Sequence, residues 1–213
     1  MSTFPDLVWQ PSLLASLVPP SIDESFSQLA RIELDESSWV DLAPGWLAGS
    51  DELFADLVAK LPWQQRSRHM YDKVVQEPRL TALWRAASGE PLEPPILGEM
   101  RAALSRRYGV ELDSAGLNLY RDGRDSVAWH GDKIDRVIAE PIVAIISLGH
   151  PRPFLLRPNE GGASRKLLLG RGDLLVSGGA CQRRWQHAVP KVSTAGPRIS
   201  VSFRHGLDAK RYG

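Results

Sequence analysis

The chain has 213 residues, of which 43% are apolar and 24% charged. That suits one soluble domain able to fold without a disulfide or structural metal, and the single cysteine, Cys181, excludes a disulfide framework, a cysteine zinc finger and a CxxC redox pair. The net charge of +1 hides an asymmetry: residues 1–115 carry 10 basic and 17 acidic side chains, residues 116–213 carry 16 and 8.

No apolar run reaches the length of a membrane span, and Met1–Asp6 lacks the basic-then-apolar pattern of a secretory leader, so a cytoplasmic protein without membrane association is expected. The basic residues of the second half are mostly arginines. Arginine suits planar oxyanions such as phosphate and carboxylate, which makes a nucleic-acid partner plausible.

In chain order, residues 1–48 contain Pro5, Pro11, Pro19, Pro20 and Pro44 and read as an irregular wrap. Ser50-Asp51 precedes Leu53, Phe54, Leu57, Val58 and Leu61 at helical spacing, with Ser50 as cap and Pro62 as stop. Residues 63–95 read as loop. Ile96–Tyr108 reads as a second helix, with Leu97, Met100 and Leu104 inward and Gly109 ending it. Beyond residue 116 the period becomes that of strands: Leu117–Tyr120, Ser126–His130, Ile142–Leu148, Pro153–Arg157, Lys166–Leu169, Asp173–Val176, Trp185–Val189 and Arg198–His205. Such a series suits a sandwich, a jelly roll or a small barrel.

Four groups of residues suggest chemistry. In His130-Gly131-Asp132, an imidazole and a carboxylate two apart on a strand share a face. Two histidines and one carboxylate hold Fe(II) and leave three positions open. An HxD alone is common by chance. Of the other histidines, His69, His150 and His205 read as surface residues, and His187 is the best third ligand. In Arg198–Arg204, Ile199, Val201 and Phe203 take one face and Arg198, Ser200, Ser202 and Arg204 the other. Inward, that polar face suits an anion, because buried arginine is costly unless paired; outward, it is simply wet. Asn118 and Tyr120 share a strand face and offer an amide and a phenol to an organic acid.

The conjunction is specific. Asn118-Leu-Tyr120, His130-Gly-Asp132-Lys133, Ile146-Ser-Leu-Gly149, Leu168-Leu-Gly-Arg-Gly-Asp-Leu-Leu175, His187 and Pro197-Arg-Ile-Ser-Val-Ser-Phe-Arg204 together resemble the AlkB family of Fe(II)/2-oxoglutarate-dependent nucleic-acid dioxygenases. The resemblance covers residues 116–206 closely and reaches more loosely back to about residue 39. It implies an α+β, mainly β fold: a double-stranded β-helix (jelly-roll) core at 116–213 and an N-terminal part, 1–115, of bracing helices and a substrate lid, the two forming one structural unit. It implies His130, Asp132 and His187 as iron ligands. Arg198 and Tyr120 would take the distal carboxylate of 2-oxoglutarate, Arg204 and Asn118 its chelating end.

The cofactors implied are Fe(II), 2-oxoglutarate and O2. The activity implied is oxidative demethylation of 1-methyladenine- and 3-methylcytosine-type lesions in DNA, with RNA left open, by a monomer. A same-fold hydroxylase or demethylase acting on tRNA or protein, and a catalytically silent nucleic-acid-binding module, are the rivals. Glu77-Pro78-Arg79-Leu-Thr-Ala-Leu-Trp84 resembles the lid over a flipped base, with Arg79 and Trp84 as substrate contacts. Tyr71, in Met70-Tyr71-Asp72-Lys73, lies where duplex-acting members carry a wedge that fills the gap in the stack. Asp135 resembles the acidic residue past the metal motif that meets an exocyclic amine; a surface salt bridge is its simpler reading.

Overall fold

The computed structural model describes residues 7, 18–70, 73–132 and 134–206. Strands β1 (Ser21–Ile22), β2 (Ala30–Glu33), β3 (Ser38–Ala43) and β4 (Leu47–Ala48) precede helix α1 (Ser50–Lys60). The hairpin of β5 (Ser67–Met70) and β6 (Lys73–Gln76), then β7 (Leu80–Arg85), lead to α2 (Pro95–Tyr108). There follow β8 (Ser114–Tyr120), β9 (Val127–His130), β10 (Val143–Gly149), β11 (Arg152–Pro158), β12 (Arg165–Leu169), β13 (Asp173–Gly179), the single turn α3 (Cys181–Arg184), β14 (Trp185–Val189) and β15 (Arg198–Arg204).

Two antiparallel sheets make the jelly roll. The larger runs β2-β3-β13-β10-β15-β8-β7 and the smaller β12-β11-β14-β9. All seven residues of β10 are buried, because both faces of the larger sheet are covered. Ile146 and Leu148, with Val201 and Phe203 of β15, meet Leu53, Phe54 and Leu57 of α1 and Leu97, Met100 and Leu104 of α2. On the opposite face, Val143 and Ile145 pack with Phe154, Leu156 and Val189 of the smaller sheet. Each large apolar side chain buried this way contributes roughly 1.5–3 kcal/mol.

The helices and the strands beyond residue 116 lie where the sequence places them, to within a few residues. Two readings need correction. Residues 1–48 are not merely an irregular wrap, because β3 pairs along its whole length with β13. Residues 63–95 are not loop, because β5 and β6 form a hairpin and β7 pairs with β8. The jelly-roll sheet therefore takes β2, β3 and β7 from residues before 116. The cap of α1 also differs. Gly49 occupies the capping position at φ 63°, Ser50 is already helical, and no side chain caps the end. A Cβ at residue 49 would collide with the Val18 carbonyl, so the close crossing of the chain selects glycine here. Among the described residues no helix is long and apolar enough to cross a membrane.

Candidate active site

The cross-strand pairing of His187 on β14 with His130 on β9 brings two imidazoles together, ring centroids 4.3 Å apart. Asp132 is not on the strand as its spacing implies, since β9 ends at His130. It is drawn in from the following segment: its backbone N–H donates to Gln182 Oε1 at 3.1 Å, and its Oδ1 accepts from Arg204 Nε at 2.7 Å and Nη2 at 2.6 Å. The result is a group of three, His130, Asp132 and His187, whose donor atoms lie within 4.8 Å of one another.

The electrostatics of this group suit a cation. Asp132 Oδ2 is buried, has no hydrogen-bond partner, and lies 3.9 Å from His187 Nε2. Burial alone would raise the Asp132 carboxyl; the charge of Arg204, then those of His187 and His130, outweigh it and hold the group below its usual range. Burial pushes His187 down to about 4 against the pull of Asp132, so its imidazole is neutral at pH 7, the form that ligates metals. Nδ1 of His130 lies 2.8 Å from the Ala128 carbonyl, which only accepts, so this nitrogen carries the hydrogen and Nε2 is left as donor atom. Phe154 stacks on His187 at 5.3 Å and fixes its ring plane.

A pocket of about 110 Å³ opens beside this group, and Asn118, Tyr120, Arg198 and Arg204 line it with His130 and His187. Their convergence follows from register. β15 lies against β8 with Arg198 opposite Tyr120 and Ser200 opposite Asn118, so the polar faces of two strands form one surface. That surface is not wet: Arg198 is 1% exposed, Ser200 4% and Ser202 3%. Arg198 Nε donates to Ser147 Oγ at 2.9 Å, its Nη1 has no partner, and Cζ stands 5.3 Å from the Tyr120 ring centroid. Gly116 leaves room for Arg204, whose Nη1 a Cβ there would approach to 2.9 Å.

The expected substrate contacts divide. Arg79 reaches the pocket, donating from Nε to Asn118 Oδ1 at 3.0 Å and pairing with Glu77 at 2.9 Å. Trp84 does not reach it. On β7 it lies opposite Ala115, on the face that packs against the helices; its indole N–H donates to the Glu90 carbonyl at 2.8 Å and Arg101 covers its ring. Its neighbour Leu83, opposite Gly116 and 46% exposed, takes the pocket face instead. The carboxylate of Asp135 accepts the Val137 N–H of its own turn, and its carbonyl accepts from Arg183. Tyr71 lies outside the described residues.

Three supporting side chains were not singled out from sequence. Gln182 bridges Asp132 N–H and Ser177 Oγ, Ser147 supports Arg198, and Arg152 is buried beneath Tyr120. Alternation in Arg152-Pro-Phe-Leu-Leu places Arg152 inward with Phe154 and Leu156, which is the one signal that marks it.

Residues 42–204 match the family model described as the 2OG-Fe(II) oxygenase superfamily. A cow protein, alpha-ketoglutarate-dependent dioxygenase alkB homolog 3, is 35% identical over 188 residues, covering 78% of this chain and 66% of its own length. The DNA oxidative demethylase ALKBH2 of Arabidopsis thaliana is 30% identical over 190 residues, 71% of this chain and 60% of its own. This chain thus spans about two thirds or less of these relatives. Among solved structures, that of OsALKBH1 superposes with a TM-score of 0.60 at 16% identity over 82% of this chain and 99% of that one, a likeness of fold.

Proposed function

Because the chain belongs to the AlkB family within the 2OG-Fe(II) oxygenase superfamily, we propose that it is a dioxygenase that removes N-methyl groups from bases in DNA. The observation that carries the reading is the buried, unclaimed Oδ2 of Asp132, aimed at two histidines beside a pocket floored by arginine.

In this reading His130, Asp132 and His187 hold Fe(II). Arg204 occupies Oδ1 of Asp132 and leaves Oδ2 to face the two imidazoles. Arg198 and Tyr120 receive the distal carboxylate of 2-oxoglutarate, Asn118 and Arg204 its 2-oxo acid end. Fe(II), with 2-oxoglutarate and O2, supplies oxidising power that hydroxylates the N-methyl group, yielding succinate and CO2, after which the hydroxymethyl base breaks down to formaldehyde and the repaired base. The chain itself moves no proton; it binds, orients and excludes water. Arg79, which lines the pocket, holds Asn118, and Leu83, not Trp84, is the exposed apolar side chain of β7 on the pocket side of the sheet, where a base would lie. The names of the plant and cow relatives support DNA and the 2-oxo acid, and the arginine-rich second half supports a polyanion. The reading includes 1-methyladenine and 3-methylcytosine as lesions, and a cytoplasmic monomer.

The test is formaldehyde release from an oligonucleotide carrying one 1-methyladenine, with Fe(II), 2-oxoglutarate and ascorbate. Release by wild type and none by His130→Ala is expected. Succinate without formaldehyde would retain the dioxygenase and move the substrate to RNA or protein. Neither product from folded, iron-loaded protein would favour a silent binding module.

A further inference from the structure

Arg152 begins β11 and is 1% exposed. Its Nη1 donates to the Asp122 carbonyl at 2.9 Å, and its Nη2 to the carbonyls of Asp125 and Pro190 at 2.9 and 2.7 Å. Its Nε is buried without a partner. The nearby carboxylates are turned elsewhere: Asp122 accepts from Arg124, and Asp125 from Arg121. Among the described residues no carboxylate forms an ion pair with Arg152 or with Arg198. Their Cζ atoms stand 5.7 and 5.3 Å from the centroid of one ring, that of Tyr120.

Two buried guanidiniums on one phenol, with no acidic side chain between them, make an unstable arrangement by themselves. Burial, the largest influence, pulls both away from the charged form; the charge of Arg152 adds to that at Arg198, whereas Tyr120 and the more distant charges of Asp125 and Asp122 favour the charged form of Arg152; guanidinium nevertheless stays protonated at physiological pH. Carbonyl bonds orient such a charge without neutralising it. A mere clip for the turn at 122–125 needs donors, not a second full charge next to the first. Arg198, which no carboxylate offsets and whose Nη1 is unpartnered, lines the pocket, where an anion can reach it.

We propose that Arg152 is a positioning residue for the distal-carboxylate subsite, a second cation behind Arg198 and Tyr120 that makes the pocket select dicarboxylic over monocarboxylic 2-oxo acids. This rests on the co-substrate reading above. Arg152 does not line the pocket; it acts through the Tyr120 ring and through its field, which is strong in a low-dielectric interior.

The test is calorimetric titration of Mn(II)-loaded protein, without oxygen, with 2-oxoglutarate and with 2-oxopentanoate, which has the same chain but lacks the distal carboxylate. Arg152→Gln keeps donors for the carbonyls and removes the charge. It is expected to weaken 2-oxoglutarate about tenfold or more while changing 2-oxopentanoate less than about twofold. Arg152→Lys, which keeps the charge, is expected to retain most of the selectivity ratio. Equal losses for both ligands, no loss for either, or a selectivity ratio lost in Arg152→Lys would overturn the inference. The last comparison stands even if Arg152→Gln fails to fold. Wild type that binds neither ligand would overturn the co-substrate reading and this inference with it, whereas wild-type binding with an unchanged ratio in the variants overturns this inference alone.

Discussion

Asp132 divides its two oxygens between two tasks: one is held by a bidentate arginine, the other left bare. The fork of Arg204 orients the carboxylate and keeps it ionised. Arg204→Gln, titrated with Mn(II) in the absence of any 2-oxo acid, is therefore expected to lose about 10–100-fold in metal affinity, as outer partners of metal ligands do. Unchanged affinity would show that the fork is dispensable. At Cys181, burial raises the thiol to about 12, with the charges of Asp35 and Asp132 adding to it. Since the thiolate is the reactive form and the shift is upward, native protein at pH 8 should hold almost none. A thiol-specific reagent should modify Cys181 only at the rate of unfolding, and fast reaction of folded protein would contradict its burial. These contrasts mark what sequence reveals of single residues. His130, Asp132, His187, Arg198 and Arg204 stand in motifs whose order is informative. Gln182 and Arg152 stand in none, because much of what they bind is backbone of distant segments, and a carbonyl leaves no trace in the choice of residue.

At the scale of elements, strand period decides which side chains reach the pocket. On β15 it puts Arg198, Ser200, Ser202 and Arg204 inward and Ile199, Val201 and Phe203 under the helices; the alternation was plain in the sequence, and only its direction needed the fold. On β7 the same rule separates Trp84 from Leu83. Trp84→Ala is expected to lower stability by about 1–3 kcal/mol through lost packing on α2, while leaving oligonucleotide affinity unchanged. Leu83→Asp should do the reverse, weakening the oligonucleotide severalfold at little cost to the melting temperature. Thermal melts and titrations of both variants decide it; a stable Trp84→Ala with lost affinity would place the indole at the base after all. The strands β3 and β7 escaped the sequence reading for a physical reason. Pro44 directly follows β3 and Pro78 lies just before β7, and β3 buries the polar Asp41, paired with Arg31 at 2.7 Å and with the Tyr108 hydroxyl at 3.0 Å, so its apolar pattern is broken.

For the whole molecule, the uneven charge along the chain does not separate into two bodies, because strands from the acidic first half lie in the sheet with strands from the basic second half. The excess of arginine after residue 116 supports contact with phosphates, and each neutralised phosphate contributes about 0.9 to the slope of log affinity against log salt on duplex DNA, or about 0.7 on single strands. Oligonucleotide binding should therefore weaken linearly on that plot. A flat response would point to a protein or small-molecule substrate.

β15 is the last strand in chain order among the described residues, yet it lies between β10 and β8 near the middle of the larger sheet. It carries Arg198 and Arg204 on one face and Val201 and Phe203 on the other. As the chain leaves the ribosome, neither the core under the helices nor the arginine-bearing floor of the pocket can form until this segment emerges. Pairings of such wide sequence separation form late and slowly. A ribosome stalled before residue 198 releases a product whose β10 and β8 edges are both open. It exposes apolar surface on β10 and β8 and lacks Arg198 and Arg204. One strand thus supplies both the apolar layer under the helices and the arginines beside the pocket, so the two form together.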